Sequence, residues 1–472
     1  MENRWVLHVQ NFAKIKNAEI ELAPFTLFVG DNNSGKSYLL SLIWGLLSLD
    51  NVILFDGLSD LKSKNYRKCY KWLETTCNNA ILDSNRITEK IDNATLSNFY
   101  GLINECLDRN KMQIVSTIFN SEVEIEKLYI KFPDTNNITL GLLKRIQMKN
   151  SINEQEEHIF IFFKNESNLE KNIMTGISLK AREQVLDIDL GLRYIMASLL
   201  KNEYSQHIGD SIAFLPASRT GFLLTYKLLT TRAIENIFDD LPIEKNILTK
   251  PLNSFLSRLA SISTDDSKKK LYYEMFKYKD LDQIVSFIEE MILDGKINLI
   301  DLPSVADIKY KPNGVEKDFP MYLTSSVITE LTPLTLFLKY QKGFQTLMME
   351  EPEMCLHPKL QWYIARVLIK LVNIGMPVFI TTHSDTILQH INNMIKLQNN
   401  SNREELAEEY RYQENDLINI NDIRMYQFDV DNNTHKTIVS KLESNKNGFS
   451  IPSFEKTLKH LLDEVWSFQE EE

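Results

Sequence analysis

The chain has 472 residues, of which 43% are hydrophobic and 25% charged, and a formal net charge of −11. This size allows two or three domains with substantial cores, and this composition is that of an ordinary globular protein. The acidic balance argues against broad, non-specific DNA binding. We find no signal peptide, no long apolar run and no metal or disulfide spacing among the four cysteines. The sequence therefore predicts a cytoplasmic protein without a membrane partner.

The first distinctive element is a glycine-rich turn between a predicted strand and a predicted helix. Residues 30–37 read Gly-Asp-Asn-Asn-Ser-Gly-Lys-Ser, the pattern of a phosphate-binding loop. Apolar residues 26–29 predict the strand, and residues 38–44 predict the helix. Such a turn aims backbone N–H groups and a helix N-terminus at polyphosphate oxygens. We expect Lys36 to lie between the β- and γ-phosphates and Ser37 to bind Mg²⁺. The predicted nucleotide-binding residues of the loop are Asn32, Asn33, Ser34, Gly35, Lys36 and Ser37.

A long insertion follows the loop. Its apolar periodicity predicts helices over 48–115, 180–208 and 222–300, without the sustained heptads of a long coiled coil. Alternating or β-branched runs predict strands at 122–125, 128–132 and 158–163.

Residues 62–72 and 268–279 interleave cations with aromatic side chains. A surface that follows a nucleic-acid strand has this pattern. An amphipathic helix with buried aromatics and solvated lysines has it too, and we favour that interpretation.

Arg219 ends a Pro-Ala-Ser-Arg turn at 216–219. Its cation could reach a phosphate or the opposite subunit, as an arginine finger does. It could equally bind a carboxylate and hold the turn, and the sequence leaves both possibilities open.

Two further strands end in groups suited to hydrolysis. Residues 347–352 read Leu-Met-Met-Glu-Glu-Pro, and on a parallel sheet we expect this strand to lie beside the strand of the phosphate loop. Glu350 is predicted to hold the metal, and Glu351 to polarise the attacking water. After a predicted helix at 360–372, a second strand ends at His383, which could hydrogen-bond the γ-phosphate or that water. The predicted catalytic residues are therefore Glu351, His383 and Lys36.

The remaining chain predicts a hairpin over 425–439 and a last helix over 452–468. Asp429 and Asp431 are the acidic pair with spacing nearest to that of a nuclease site. Turn chemistry explains this pair more simply, and we predict no nuclease domain on this chain.

These motifs resemble the ABC-type ATPases of the overlooked-nuclease, RecF and SMC branch. The segments that carry the resemblance are 9–16, 30–37, 214–221, 350–358 and 380–384. The resemblance implies an α/β fold, a P-loop NTPase head of the ABC type with a mixed sheet, an antiparallel β-subdomain and a large, mostly helical insertion. It also implies ATP and Mg²⁺ as cofactors.

In that branch the heads dimerise head to tail, and a signature loop of one subunit closes the nucleotide of the other. We therefore expect this chain to form a head-to-tail dimer or a higher homo-oligomer. Residues 324–331 are the candidate loop, in which Ser325 and Ser326 are expected to bind the nucleotide. Val327 stands where glycine is usual, so close backbone approach to phosphate is less secure and we expect slow hydrolysis.

The predicted organisation has two head segments and three inserted segments. The order is 1–47 head with phosphate loop, 48–115 helical insertion, 116–221 β-subdomain and return to the head, 222–318 helical arm or lid, and 319–472 second head segment.

The resemblance implies an ATPase that controls a separate effector protein, a nuclease, as Septu-type ATPases of bacterial anti-phage defence do. The alternative is a RecF-like DNA repair or recombination ATPase that binds DNA directly. A nucleotide-gated scaffold with negligible hydrolysis stays open because of Val327, whereas the long insertions disfavour a transporter subunit.

Overall fold

The computed structural model describes thirteen segments of the chain. They are residues 4–82, 87–133, 138–148, 155–165, 176–182, 185–201, 211–238, 248–264, 278, 280–300, 306–341, 343–450 and 452–468. The segment predicted as basic at 268–279, apart from residue 278, and the end of the stretch predicted as helical at 180–208 lie outside them.

Strands are short and distributed along the described chain. They are β1 (Val6–Phe12), β2 (Ile15–Glu21), β3 (Phe25–Gly30), β4 (Ile87–Lys90), β5 (Lys127–Lys131), β6 (Ile138–Met148), β7 (Gln155–Asn165), β8 (Gly176–Arg182), β9 (Val185–Leu186), β10 (Ile212–Leu215), β11 (Gly295–Ile300), β12 (Asp307–Pro312), β13 (Phe319–Pro320), β14 (Thr346–Glu350), β15 (Val378–Thr382), β16 (Ile423–Val430), β17 (Thr437–Lys441), β18 (Ser444–Asn445) and β19 (Gly448–Phe449).

The α-helices fill the intervals. They are α1 (Lys36–Ser48), α2 (Asn51–Leu54), α3 (Lys64–Leu82), α4 (Asn93–Phe119), α5 (Ile188–Lys201), α6 (Arg219–Phe238), α7 (Lys250–Ala260), α8 (Leu281–Met291), α9 (Ser326–Tyr340), α10 (Pro358–Asn373), α11 (Asp385–Gln398), α12 (Arg403–Glu409) and α13 (Pro452–Phe468).

A nine-stranded mixed sheet forms the centre of the molecule, in the order β10-β14-β15-β3-β16-β17-β2-β1-β5. Neighbouring strands from β10 to β16 are parallel, whereas β16–β17, β2–β1 and β1–β5 are antiparallel. Alternate residues of β3 enter two different cores: Phe28 packs with α1 and α4, and Leu27 and Val29 pack with α9 and α10. Burial on both faces is typical of a parallel sheet covered by helices. The predicted α/β class with a mixed sheet is confirmed.

One predicted neighbour is wrong. β14, the strand that ends in Glu350, does not lie beside β3, because β15 lies between them and pairs in parallel with both. The chain leaves β14, crosses through α10 and returns one position nearer to β3. All three strands still end at the same edge of the sheet. Thr381 is opposite Glu350, and Thr382 is opposite Val29.

The inserted segments contain more strand than expected. β4 lies in the stretch 48–115 and β11 ends the stretch 222–300, both of which were expected to be helical. α4 also runs through residues 115 and 116, the predicted boundary between two segments. Strands β4, β6, β7, β8 and β9 form a separate antiparallel sheet.

The strand prediction at 122–125 is wrong, although the predicted strands at 128–132 and 158–163 correspond to β5 and β7. Near residues 122–125, the backbone oxygen of Glu124 accepts a hydrogen bond from the N–H of Ala13 (3.1 Å), and the N–H of Glu126 donates one to the backbone oxygen of Gln10 (3.0 Å). Two isolated bonds do not form a ladder. The hairpin over 425–439 and the last helix are confirmed by β16, β17 and α13.

Gly30 is a position that only glycine can occupy. Its φ is +126°, and a Cβ built there would lie 2.3 Å from the backbone oxygen of Phe428 on β16. We expect Gly30→Ala to lower the free energy of unfolding by at least about 3 kcal/mol, because strain and overlap with backbone add together. Chemical denaturation measures this change.

Gly314→Ala is the matched control. Gly314 also has a positive φ of +72°, but a Cβ there meets nothing within 4 Å. A cost of about 1 kcal/mol is expected from the conformation alone. Equal losses in the two variants would show that the contact between Gly30 and β16 has no part in stability.

Candidate functional site

The glycine-rich loop connects β3 to α1 at the edge where the parallel strands end. Gly35 caps α1 with a φ of +94°, and a Cβ there would lie 3.1 Å from Cγ1 of Ile15. Asn33 also has a positive φ of 58°. The left-handed residues turn the chain tightly, so that the loop wraps around the N-terminus of α1. A phosphate group bound there would meet unpaired N–H groups of the first helical turn.

Lys36, the first residue of α1, bends back over its own loop. Its Nζ donates hydrogen bonds to the backbone oxygens of Gly30 (3.1 Å) and Asp31 (2.6 Å) and to Oγ of Ser34 (3.3 Å). Burial lowers the pKa of Lys36 to about 8, against the opposing effect of the Glu351 carboxylate. The ammonium is therefore held among carbonyl oxygens that it can exchange for the oxygens of an anion.

Glu350 ends β14 beside the start of α1. Its Oε2 accepts a hydrogen bond from the backbone N–H of Ala217 at 3.2 Å, and the Ser37 side chain lies beside the carboxylate. Burial raises the pKa of Glu350, and the nearby Ser37 hydroxyl opposes that rise. The structure thus brings together the two residues that the sequence predicts as metal ligands. Two protein oxygens and an open side are what Mg²⁺ needs when phosphate and water complete its octahedron.

Glu351 turns away from β14 in an unusual backbone conformation, with a φ of +42°. Its N–H donates to the backbone oxygen of Thr381 at 2.9 Å, which ties the turn to β15. Its side chain is 32% exposed, and Oε1 lies 3.9 Å from Nε2 of His383. A strained non-glycine residue at the end of a strand is a common feature of functional sites.

His383 lies between the loop and the carboxylates. Its ring lies beside the backbone of Gly30. Burial lowers the pKa of His383, and the nearby Lys36 ammonium lowers it further, so the neutral imidazole is favoured at neutral pH. Lys36, Glu351 and His383, the three residues predicted as catalytic, therefore share one edge of the sheet.

Glu353 is a site residue that the sequence reading missed. Its Oε1 accepts the backbone N–H of His383 at 2.6 Å, and its Oε2 accepts the hydroxyl of Thr382 at 2.9 Å. Burial raises the pKa of Glu353, and these hydrogen bonds oppose the rise. This carboxylate fixes the backbone from which the His383 ring projects. Its only signal in the sequence is a third acid in the Glu-Glu-Pro-Glu run at 350–353.

Ser325 and Ser326 are exposed at the N-terminus of α9. No hydrogen bond among the described residues joins either serine to the glycine-rich loop of the same chain. Val327 is half-buried and packs against the core beneath α9. The two serines thus present hydroxyl groups and a helix N-terminus to the outside, where a group on another molecule could meet them.

Arg219 is completely buried. Its Nε lies 3.1 Å from both the backbone oxygen and Oε2 of Glu330. Its Nη1 donates to the backbone oxygens of Pro216 (2.9 Å) and Glu350 (2.6 Å), and its Nη2 donates to that of Glu351 (3.0 Å). Of the two roles considered for Arg219, the structure supports the clamp that holds the turn. A guanidinium bound in this way cannot reach a second subunit.

The aromatic residues of the segment 62–72 pack inward from α3. The Tyr66 hydroxyl donates to Asp189 at 2.9 Å, and Trp72 makes an edge contact with Phe99 at 5.7 Å between ring centres. The rings are half-buried against the core, which agrees with the amphipathic-helix interpretation.

Comparison with known proteins gives one family match. The model of the AAA ATPase domain family matches residues 6–388. No curated protein matches the chain.

Three solved structures of SMC heads resemble the chain. An Smc head bound to the C-terminal winged-helix domain of ScpA shares 12% identity, covers 93% of this chain and 97% of its own, and has a TM-score of 0.36. The SMC head domain from Thermotoga maritima shares 11% identity over 94% and 100%, with a TM-score of 0.33. An Smc head with an extended coiled coil bound to the C-terminal domain of ScpA, from Pyrococcus furiosus, shares 13% identity over 98% of both chains, with a TM-score of 0.35.

Within the described residues no single helix is long and apolar enough to cross a membrane. The sharply bent pair Lys36–Ser48 and Asn51–Asp60 reaches that length and apolar composition only when its two parts are taken together.

Glu350→Gln is expected to stabilise the protein when no divalent metal is present. A raised carboxyl pKa means that the folded state holds its proton more tightly than the unfolded state, so folding loses stability as the pH rises above about 4.5. Glutamine removes that penalty. We expect a gain of about 0.5–2 kcal/mol at pH 8 that vanishes below pH 4.

Thermal or urea denaturation in a chelating buffer measures this gain across the pH range. Glu316→Gln, at an exposed position, serves as the control and should leave stability unchanged. A loss of stability in Glu350→Gln at pH 8 would contradict the assignment of Glu350 as a destabilising buried charge.

Proposed function

The chain belongs to the AAA ATPase domain family and is an ATPase of that type; we propose that it binds ATP with Mg²⁺, hydrolyses it slowly and assembles around it as a homodimer or larger homo-oligomer. The observation that carries this proposal is the convergence of Lys36, Ser37, Glu350, Glu351 and His383 at one sheet edge. Each of these residues supplies a different group that phosphoryl transfer to water requires.

The loop residues Asn32–Ser37 would hold the phosphates. Backbone N–H groups at the start of α1 bind phosphate oxygens, and Lys36 exchanges its carbonyl partners for the β- and γ-phosphates. Ser37 and Glu350 would hold Mg²⁺, which supplies charge neutralisation on the β- and γ-phosphates when bound. The Ser37 hydroxyl lies beside the Glu350 carboxylate, so the two oxygens could bind one metal ion.

Glu351 and His383 would act on the attacking water. The Glu351 carboxylate, partly exposed and 3.9 Å from the His383 ring, can orient the water and accept its proton. Neutral His383 can accept a hydrogen bond from the water or donate one to the γ-phosphate. The products are ADP and inorganic phosphate, and the proton leaves through Glu351.

Ser325 and Ser326 would complete the site of a second copy. They lie exposed at a helix N-terminus, an arrangement that favours an anion. In a head-to-tail dimer they would bind the γ-phosphate held by the partner. Val327 in place of glycine restricts close approach of this backbone, which supports slow turnover.

We also propose that the output is a separate effector protein, a nuclease, in anti-phage defence. One supporting observation is that the acidic pair Asp429 and Asp431 serves local structure. Asp429 accepts a bond from Gln427 (2.9 Å), and Asp431 accepts the backbone N–H groups of Asn433 (2.8 Å) and Thr434 (3.1 Å). Asp431 therefore stabilises the turn, and Asp429 binds a neighbouring side chain on β16. The inward-packed aromatics of α3 favour a protein partner over DNA.

The proposal is tested by measuring the mass of the purified protein by light scattering with ATP and Mg²⁺, with and without DNA. A dimer or larger species is expected with ATP, lost in Lys36→Ala, and more persistent in Glu351→Gln because hydrolysis is blocked. Lys296→Ala, an exposed lysine on β11, is the matched control and should assemble like the wild type. A monomer under all conditions would overturn the assembly mechanism, and assembly that requires DNA would favour the RecF-like alternative.

A pH dependence of ATP affinity follows from the lowered pKa of Lys36, about 8. The ammonium form binds phosphate, so affinity is full below pH 8 and declines as the free protein loses this proton. We expect the Kd for ATP to rise by up to about tenfold per pH unit above pH 8. Lys36→Arg keeps its charge over this range, so its affinity should stay nearly constant. Parallel pH profiles in the two proteins would show that Lys36 does not carry the effect.

A further inference from the structure

A buried polar network joins α9 to the backbone of Glu350 and Glu351, the two glutamates at the end of β14. Its centre is Arg219, whose guanidinium donates to the backbone oxygens of Glu350 (2.6 Å) and Glu351 (3.0 Å). On its other side, Nε lies 3.1 Å from Oε2 of Glu330 on α9. One planar cation therefore connects the end of β14 to a helix that begins at Ser326.

Further bonds make the connection rigid. The other carboxylate oxygen of Glu330 accepts the backbone N–H of Thr220 at 3.0 Å, and the hydroxyls of Thr220 and Thr329 lie 2.8 Å apart. Arg219 is fully buried, and Glu330 is 3% exposed. Because a guanidinium is planar and its donors have fixed directions, a displacement of α9 must move Arg219 or break its bonds.

The two ends of this network have different proposed ligands. The N-terminus of α9, one helical turn before Glu330, carries Ser325 and Ser326, which face outward. The carbonyl oxygens at the other end belong to the turn that places Glu350 and Glu351 beside the chain's own phosphate loop. Glu351 has a strained backbone, with a φ of +42°, so its orientation depends on such external bonds.

We propose that Arg219 and Glu330 are positioning residues that couple the two nucleotide sites of the dimer. Contact of Ser325 and Ser326 with a nucleotide on the second copy sets the position of α9. The Glu330–Arg219 pair transmits that position to the backbone of Glu351, which then aligns on the nucleotide bound by its own chain. This inference rests on the proposed function, since it requires an ATP-dependent dimer.

The test compares ATP hydrolysis over a range of ATP concentrations in the wild type, Arg219→Lys and Thr220→Val. The wild type should show a Hill coefficient clearly above 1, approaching about 2 for two coupled sites. Lysine keeps the charge, but its single ammonium cannot span Glu330 and the backbone oxygens of both Glu350 and Glu351. We expect kcat to fall at least about tenfold, because misplacement of a catalytic group is costly, and the Hill coefficient to fall to about 1. The ATP-dependent mass should be retained.

Thr220→Val removes only the hydroxyl contact with Thr329 and keeps its backbone bond to Glu330, so it tests the coupling should Arg219→Lys not fold. A smaller fall in kcat and in the Hill coefficient is expected. Lys339→Gln is the matched control, since it breaks an ion pair with Glu289 (2.7 Å) at the far end of the same helix. Its kcat and Hill coefficient should be those of the wild type.

Simple destabilisation would lower the active fraction, and hence kcat, without changing the Hill coefficient. A Hill coefficient of 1 in the wild type overturns the coupling but leaves the ATPase assignment intact. A wild-type Hill coefficient above 1 that is unchanged in both variants does the same. A wild type that neither binds ATP nor changes mass with it would instead overturn the proposed function.

Discussion

The candidate site depends on one constraint: three parallel strands, β3, β15 and β14, end at the same edge of the sheet. The phosphate loop follows the first, His383 follows the second, and Glu350 and Glu351 follow the third. Since neighbouring strands lie about 4.8 Å apart, groups at these three ends fall within the span of a triphosphate and its metal. The helices on both faces serve this arrangement, because they bury the strands completely and leave no freedom in register.

Placing four ionisable groups at this edge of the sheet destabilises the free protein, as the directions of their pKa shifts show. Burial raises the pKa of Glu350 and of Glu353 and lowers the pKa of Lys36 and of His383, so each group is displaced toward its neutral form. Hydrogen bonds from Ala217 and Thr382, and the Ser37 hydroxyl beside Glu350, offset part of that cost. A bound polyphosphate with its metal would offset more, and the same groups that weaken the free protein would then favour the nucleotide complex.

Several features could be predicted from the sequence because they are local. The loop pattern, the apolar strands that end in Glu350 and His383, and the helix between them all lie in short contiguous segments. The position of β15 could not be predicted, since strand order depends on how α10 crosses the sheet. The partner of Arg219 could not be predicted either, because the carbonyl oxygen of Glu350 is 131 residues away in sequence. Glu353 was missed because its role depends on two hydrogen bonds to the neighbouring strand end.

The central claim, that exposed Ser325 of one chain meets the phosphate loop of another, is tested most directly by cross-linking. One population would carry Ser325→Cys and the other Asn32→Cys. Both would also carry Glu351→Gln, to retain ATP, and Cys355→Ser, to remove the exposed native thiol. The other three cysteines are buried. A short bifunctional maleimide should yield covalent dimers from the mixture only with ATP and Mg²⁺, and none when Lys36→Ala is added. Cross-linking within a single chain that carries both new cysteines, or no dimer when ATP is bound, would contradict the shared site.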